Sequence, residues 1–291
     1  MNDHISDEID AQPGSWRRAV ALAATVRSSL PASGTRLAVV GCGTSYHIAQ
    51  AFATAREETG HGEADAFPAS EMPLGRRYDA VLAISRSGTT TEVIRLLEGA
   101  RTPTVALTAV PGSPIAELAG RTILLDFADE QSIVQTRFAT TALALLRAHV
   151  GGQVETAARD AERALRELLP VDPKPFSHFV FLGRGWTVGL AHEAALKMRE
   201  TSAVWAESYP AMEYRHGPIS VAGEGTLVWA MGEVPGDLLD DVAATGARVV
   251  GNDHDPMAEL VLVQRFAVAT ARAAGRDPDR PRGLSRSVVL E

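Results

Sequence analysis

Residues 37–45 read LAVVGCGTS, an apolar run of strand length that ends in a Gly-x-Gly turn followed by hydroxyl side chains. Residues 179–187 repeat the pattern as FVFLGRGWT, and Gly41 and Gly183 lie 142 positions apart. An Ala-rich stretch of helical length follows each turn. A strand, a glycine-rich turn and a helix are the signature of a βαβ unit in a parallel sheet. The sequence therefore predicts one such unit in each half of the chain.

The other strand-like runs recur in the same order in both halves. With chance similarity as the alternative, four matched strands and a closing helix favour an internal duplication. The predicted fold class is α/β, with two similar doubly wound domains, each a parallel sheet flanked by helices in a flavodoxin-like three-layer arrangement. The matched predicted strands are 37–40 with 179–182, 80–84 with 226–231, 104–108 with 248–251 and 121–125 with 260–263, and the closing helices open at Gln135 and Gln264.

The length of 291 residues also fits two domains of about 150 residues. Three prolines between positions 170 and 175 break any helix and mark the join. The predicted boundaries are an acidic, mobile N-terminal tail over 1–14, a first domain over 15–150, a helix and proline-rich linker over 151–175, and a second domain over 176–291.

Composition excludes several classes of partner. The formal net charge is −8 with no basic patch, which argues against nucleic acid. No window supplies the roughly 18 apolar residues of a membrane span, and the acidic start is unlike a secretory signal. The single cysteine, Cys42, excludes a disulfide framework or a cysteine-based zinc site and favours the cytoplasm. We expect no metal and no cofactor.

Two hydroxyl-rich turns of the first half predict an anion site. Residues 85–92 read SRSGTTTE after a strand, and the turn 43–45 follows the first strand. Both turns should meet at the carboxyl edge of the sheet, where amides, hydroxyls and a helix start can hold phosphate. In the alternative reading, Ser87 or Thr89 only caps the helix and Glu92 completes a capping box. The second half has MGEVPG at 231–236 instead, so we expect one phosphate site, in the first half.

The helical stretch 190–200, LAHEAALKMRE, is the candidate for proton chemistry. Glu193, Lys197 and Glu200 fall at i, i+4 and i+7 and so share one face. Either they form a solvated stripe with an ordinary ion pair, or the face lines a cleft and pairs a carboxylate base with a cationic neighbour. Residues 206–218 are predicted to form a polar loop that holds His216 at the surface.

Three further sites receive structural interpretations. His192 lies in the predicted helix with no partner in sequence, so we assign it to packing or solvent. Cys42 is read as a small buried filler in a tight turn, with a reactive thiol as the minor alternative. Asp253, His254 and Asp255 form a turn in preference to a metal site, because adjacent side chains seldom converge on one ion.

These motifs together resemble tandem sugar-isomerase (SIS) domain proteins. The resemblance is to the isomerase half of glucosamine-fructose-6-phosphate aminotransferases and to stand-alone tagatose/galactosamine-phosphate ketose-aldose isomerases and deglycases. It covers nearly the whole chain. The residues that carry it are Glu8-Ile9, Gln12-Pro13, Gly41 to His47, Ser85 to Gly88, Glu193 to Glu200 and Pro281 to Val288.

The resemblance implies a role for each matched residue. Glu200 would be the base that moves a proton between C1 and C2 through an enediol or enolamine, with Lys197 stabilising the oxyanion and Glu193 orienting Lys197 or contacting the sugar. His216 would assist ring opening from the partner subunit, which implies a homodimer with shared active sites. Amides of Ser132 to Gln135 would close over the sugar. The implied phosphate-binding residues are Gly43, Thr44, Ser45, Ser85, Ser87, Gly88 and Thr90.

Two departures narrow the expected activity. Arg286 stands where the aminotransferases have the lysine that forms a Schiff base, and a guanidinium is no practical imine nucleophile. Gln135 replaces a serine of the sugar loop. Met1 is no cysteine nucleophile, so we expect no glutaminase activity. The leading expectation is an isomerase or deaminase of a hexose or hexosamine 6-phosphate, with Gln135 and Arg286 among its substrate-binding residues. The alternatives are a deglycase of glycated amino acid 6-phosphates and a non-catalytic sugar-phosphate sensor.

Overall fold

The computed structural model describes residues 3–73, 75–251 and 253–290. The predictions for Met1, including the missing glutaminase nucleophile, lie outside these residues. The chain divides into two units. The first unit comprises Gly14–Gln131, Gln135–Glu155 and the described part of Ser285–Glu291. The second unit comprises the described part of Met1–Pro13, Ser132–Val134 and Thr156–Leu284.

Helices and strands alternate along most of the chain. The helices are α1 His4–Asp10, α2 Gln12–Thr25, α3 Thr44–Glu58, α4 Thr91–Gly99, α5 Pro114–Leu118, α6 Arg137–His149, α7 Val154–Arg166, α8 Thr187–Ser202, α9 Gly236–Ala244 and α10 Pro256–Ala273. The strands are β1 Leu37–Gly41, β2 Ala64–Pro68, β3 Ala80–Ile84, β4 Thr104–Thr108, β5 Arg121–Leu124, β6 His178–Gly183, β7 Trp205–Pro210, β8 Thr226–Met231 and β9 Arg248–Val250.

The first unit contains a parallel sheet in the order β2-β1-β3-β4-β5. Every residue of β1 and β3 is buried, which explains their unbroken aliphatic sequences: a central parallel strand is covered on both faces. The strand order reverses between β1 and β3. Ligands of doubly wound folds bind at that switch point, beyond the carboxyl ends of the strands.

The second unit contains a parallel sheet in the order β7-β6-β8-β9. This order matches β2-β1-β3-β4 of the first sheet strand for strand. The predicted α/β class, with two parallel sheets flanked by helices, is confirmed.

One glycine in each sheet permits a close approach between strand and helix. A Cβ on Gly41 would lie 2.6 Å from the carbonyl carbon of Ser45, and one on Gly183 would lie 2.6 Å from that of Thr187. Both are the last residue of a strand, and each meets the residue four positions later at the start of the next helix. Only glycine fits there, so the two Gly-x-Gly turns have the same steric cause.

The predicted strand over 260–263 is wrong. These residues lie within α10, which begins at Pro256 after the N-cap Asp255, whose side chain accepts from the Met257 amide at 2.9 Å. The closing helix therefore begins before Gln264. A short apolar run does not distinguish a buried strand from a buried helix, and α10 is buried along most of its length. In the described residues, the second sheet ends at β9.

Three other predictions need correction. Residues 4–10 of the predicted tail form α1, whose Ile5 and Ile9 are buried, so this part is packed and not a mobile tail. The predicted polar loop begins with the parallel strand β7 and continues as a 3-10 helix over Ala211–His216. Residues 285–290 group with the first unit and not with the second domain.

Among the described residues, no helix combines the length and apolar character needed to cross a bilayer.

Candidate functional site

The two hydroxyl-rich turns of the first unit lie side by side at the switch point. Strands β1 and β3 are direct neighbours, with Val40 paired to Ala83, so their following turns share the carboxyl edge of the sheet. Thr44 and Ser45 open α3 and are buried. Gly43 adopts φ 53°, which permits the sharp entry into the helix.

The loop after β3 is closed by its own hydroxyls. Ser85 Oγ accepts from the Gly88 amide at 3.2 Å and lies 3.3 Å from Thr90 Oγ1. Gly88 has φ +65°, and a Cβ there would overlap the buried Ser113 side chain. The loop is therefore sterically fixed, with Ser85 and Ser87 buried.

The capping alternative for this loop is not supported. Helix α4 begins at Thr91, its N-cap is Thr90, and no side-chain bond caps it. Ser87 and Thr89 instead bond to each other, with Thr89 Oγ1 donating to Ser87 Oγ at 3.0 Å. Both hydroxyls also contact Ser287 Oγ, at 3.1 and 2.9 Å.

Sequence reasoning missed a buried ion pair behind this loop. Arg86 Nη1 lies 3.7 Å from Glu130 Oε2, and both side chains are at most 1% exposed. Glu130 Oε1 accepts from the amides of Thr136 and Arg137, each at 2.7 Å. The signal that could have indicated Arg86 is its place between two candidate phosphate-binding serines at a strand end. Nothing in the sequence pairs it with Glu130.

Arg286 is engaged with protein atoms of the first unit. Its Nη2 lies 2.5 Å from Asp129 Oδ1, and Nη1 donates to the Glu130 carbonyl. Gln135, also in the first unit, is half-buried. Ser132 belongs to the second unit, where its amide donates to Glu8 Oε1 at 3.3 Å. That amide of the predicted sugar loop is bonded to a buried carboxylate here.

Three of the charged residues of α8, Glu193, Lys197 and Glu200, form one cluster in the second unit. Lys197 Nζ lies 3.3 Å from Glu193 Oε1 and 2.5 Å from Glu200 Oε2. Glu193 is fully buried, Lys197 is 1% exposed and the Glu200 side chain is 20% exposed. The predicted shared face is present, but the reading as a solvated stripe is wrong, because two of its three members are removed from water.

Burial alone lowers the pKa of the Lys197 ammonium, and the attraction of Glu193 and Glu200 outweighs it, so the net pKa is raised. Lys197 is therefore a permanent cation near neutral pH and cannot serve as a base. Glu200 is the member of the cluster that reaches solvent.

His216 is exposed and ends the 3-10 helix, before Gly217 with φ 137°. Half-buried His192 lies 2.8 Å from Ser208 Oγ, and burial followed by repulsion from Arg199 lowers its pKa. Sequence reasoning missed Glu207, whose carboxylate is contacted by His178, Trp205 and Tyr209 at 3.1–3.2 Å.

Cys42 is half-buried and packs against the core beside β1 and β3. Burial raises the pKa of its thiol, which disfavours the reactive thiolate.

His254 lies 2.7 Å from Arg163 Nη2 and 2.9 Å from Glu167 Oε2, and Asp255 caps α10. In the part of the chain that the structure describes, no group of three or more His, Cys, Asp and Glu side chains suits a metal ion.

The candidates thus fall into two sets. The phosphate-binding candidates, Gln135 and Arg286 lie in the first unit. Glu193, Lys197, Glu200 and His216 lie in the second.

Comparison with known proteins finds a match for the part of the chain that contains the phosphate-binding candidates. Residues 32–149, which contain β1 to β5 and both hydroxyl-rich turns, match the family model of the SIS domain. The match does not extend over the second sheet.

Curated relatives match most of the chain. The chain is 29% identical over 297 residues to the glutamine-fructose-6-phosphate aminotransferase of Sulfurisphaera tokodaii, covering 88% of this chain and 50% of that protein. It is 30% identical over 304 residues to that of Sulfolobus acidocaldarius, covering 89% and 51%. The chain spans about half the length of these curated relatives.

Solved structures match the chain from end to end. The Thermotoga maritima glucosamine-6-phosphate deaminase superposes with a TM-score of 0.86 at 25% identity, covering 99% of this chain and 100% of that one. The Escherichia coli tagatose-6-phosphate ketose/aldose isomerase has a TM-score of 0.80 at 21% identity, covering 98% and 97%, and shows the shared fold.

Proposed function

We propose that this chain is a phosphosugar isomerase or deaminase that acts on a hexose or hexosamine 6-phosphate. The observation that carries the proposal is the partly exposed Glu200 carboxylate held 2.5 Å from the buried Lys197 ammonium. A base that shuttles a proton between C1 and C2 must be ionised and must reach the sugar. Glu200 is the candidate, because its side chain is 20% exposed and lies beside the Lys197 ammonium.

Lys197 and Glu193 support this chemistry without transferring the proton. An enediol or enolamine develops negative charge on a sugar oxygen, and a fixed ammonium stabilises that charge most where water is excluded. Glu193 is fully buried and 3.3 Å from Lys197 Nζ, so its role is to hold the ammonium in place. His216, exposed at the end of its 3-10 helix, is assigned to ring opening.

The 6-phosphate is assigned to the loops of the SIS domain. Gly43, Thr44 and Ser45 start α3, and the loop after β3 starts α4, so both supply amides with partial positive charge. The binding residues in that loop are Ser85, Ser87, Gly88 and Thr90. The relatives support this substrate class, since the deaminase and the aminotransferases are both named for hexose 6-phosphates.

Arg286 argues against a covalent route. A guanidinium cannot form an imine with a ketose, and this one is bonded to Asp129 and to the Glu130 carbonyl. We therefore assign acid-base isomerisation, deamination or deglycation in preference to glucosamine 6-phosphate synthesis through a lysine Schiff base. Gln135 and Arg286 remain proposed substrate-binding residues.

We propose further that the second unit is a second SIS-type domain that arose by duplication. Two features support this: the matched strand orders of the two sheets, and the identical steric role of Gly41 and Gly183. The proposed domain cores are 15–150 and 176–284, joined by 151–175, with the described part of 285–291 grouped with the first. A homodimer with shared active sites and a cytoplasmic location complete the proposal.

A substrate panel tests the proposed function. Fructose, glucose, glucosamine, galactosamine and tagatose 6-phosphates and a glycated lysine 6-phosphate are assayed for thermal stabilisation and for isomer or ammonia formation. We expect turnover of at least one, and no turnover of the unphosphorylated sugars. Stabilisation by several ligands without turnover would make the chain a sugar-phosphate sensor. Neither stabilisation nor turnover would refute the proposal.

A further inference from the structure

The C-terminal segment, residues 285–290, lies against the phosphate loop of the first unit. The Thr91 amide donates to the Val288 carbonyl at 3.2 Å, and the Leu290 amide donates to Thr91 Oγ1 at 2.8 Å. These bonds fix the segment across the first residue of α4. They need only backbone atoms of the segment, so they do not depend on its side chains.

Ser287 brings a hydroxyl into this loop. Its Oγ lies 3.1 Å from Ser87 Oγ and 2.9 Å from Thr89 Oγ1, and the latter two are 3.0 Å apart. The three oxygens form a nearly equilateral triangle in which each hydroxyl has one proton to donate. Ser87 is buried, and Thr89 and Ser287 are half-buried, so bulk water competes weakly for these protons.

Arg86 holds the segment at the residue before Ser287. Its Nη2 donates to the Arg286 carbonyl at 2.8 Å, while its Nη1 faces the Glu130 carboxylate. The Arg86 carbonyl accepts from the Ala109 amide and from Thr108 Oγ1, each at 3.1 Å, which fixes its backbone. Arg86 is 1% exposed, and its guanidinium contacts both the segment and Glu130.

We propose that Ser287 binds the substrate phosphate together with Ser87 and Thr89, and that Arg86 is the positioning residue that places it there. The inference rests on the proposed function. Ionised phosphate oxygens accept hydrogen bonds, and a triangle of three rotatable hydroxyls can turn all its protons toward one face of a phosphate group. If Ser287 had only a structural role, its hydroxyl would be needed to hold the segment in place. The backbone bonds to Thr91 already hold it.

Calorimetric titration of the full chain with fructose 6-phosphate, glucosamine 6-phosphate, inorganic phosphate and unphosphorylated fructose tests Ser287. We expect Ser287→Ala to weaken binding of the three phosphate ligands about tenfold, because one charge-assisted bond is lost. Ser287→Thr keeps the hydroxyl and should bind within about threefold of the wild type. Ser285→Ala is the matched control, since the Ser285 hydroxyl donates to the Ser287 carbonyl at 2.9 Å; it should leave affinity unchanged.

A double-mutant cycle tests Arg86. If Arg86→Gln weakens binding by displacing Ser287, then Arg86→Gln with Ser287→Ala binds no more weakly than Arg86→Gln alone. Additive losses would overturn the positioning role. Should Arg86→Gln fail to fold, as removal of one partner of a buried ion pair can cause, Arg86→Lys replaces it in the cycle, and the Ser287 series stands by itself.

The outcomes separate this inference from the proposed function. If the wild type binds none of the phosphosugars, both are refuted. If the wild type binds them and Ser287→Ala binds equally well, only the assignment of Ser287 fails. Tighter binding by Ser287→Ala would show that Ser287 blocks the site, which also contradicts the inference.

Discussion

Lys197 Nζ lies 2.5 Å from Glu200 Oε2, three residues further along α8, and the ammonium is almost completely buried while the carboxylate reaches solvent. This asymmetry assigns the parts of the cluster. The ammonium is buried beside two carboxylates, and Glu200 is the partly exposed one of them. Glu193 completes the cluster from the previous turn of the helix.

Removal of the Lys197 ammonium should destabilise the folded protein. Lys197→Met removes the buried ammonium from between Glu193 and Glu200, and we expect the free energy of unfolding to fall by roughly 3–5 kcal/mol. Urea denaturation measures the change. The only other lysine of the sequence, the exposed Lys174, is the control, and Lys174→Met should change stability by less than about 0.5 kcal/mol. Equal, small effects of both substitutions would contradict the buried cluster.

The same lysine predicts a pH dependence. Burial lowers the pKa of Lys197 but the two carboxylates raise it further, so the folded value lies above the usual 10.5. A group with a raised folded pKa stabilises the protein fully below its unfolded pKa and loses that contribution as pH rises through the folded value. The stability gap between the wild type and Lys197→Met should therefore be constant from pH 7 to 9 and shrink above 10.5. A stability difference between the wild type and Lys197→Met that increases at alkaline pH would contradict this prediction.

Phosphate recognition can be separated from sugar recognition. Ser85→Ala combined with Ser87→Ala should weaken binding of a 6-phosphosugar at least tenfold and leave the unphosphorylated sugar unaffected, because only the phosphate contacts are lost. Titration calorimetry measures both ligands. Ser28→Ala, an exposed serine of the same unit, is the control. Equal losses for the two ligands would show that the loop does not recognise phosphate.

Two glycines with the same backbone angle test the steric account of the loop. Gly88 and Gly112 have φ +65° and +64°, but a Cβ on Gly88 would overlap Ser113 while one on Gly112 meets nothing within 4 Å. Both Gly→Ala substitutions carry a strain of about 1–2 kcal/mol. Gly88→Ala should cost a further 1–3 kcal/mol or so, from overpacking, and reduce phosphosugar binding. Thermal denaturation measures the midpoints of the two variants. Equal midpoints would contradict this account.

Much of the first sheet could be predicted because its strands are short aliphatic runs bounded by glycine turns. The edge strands β2 and β7 were not predicted, since each is partly exposed, is interrupted by a carboxylate residue and ends in proline. The apolar run 260–263 carries no period that separates strand from helix, and its true state follows from the helix start at Pro256.

Helical spacing correctly grouped Glu193, Lys197 and Glu200, because residues at i, i+4 and i+7 must share a face. Helical spacing does not predict whether that face is exposed to solvent or buried, because this depends on tertiary packing. The contacts of Arg86 could not be predicted from the sequence, for another reason. Its hydrogen bond to Arg286 joins residues 200 positions apart, and no local pattern encodes such a pair.

The most direct test of the central claim is proton exchange by Glu200. The phosphosugar that the wild type turns over is incubated in D2O, and deuterium at C1 and C2 is measured by NMR for the wild type, Glu200→Gln and Glu207→Gln. Glu207 is the matched control, a partly exposed carboxylate of the same unit with structural partners. We predict that Glu200→Gln incorporates deuterium at least a hundredfold more slowly while Glu207→Gln stays near the wild type. Undiminished incorporation by Glu200→Gln would contradict its assignment as the base.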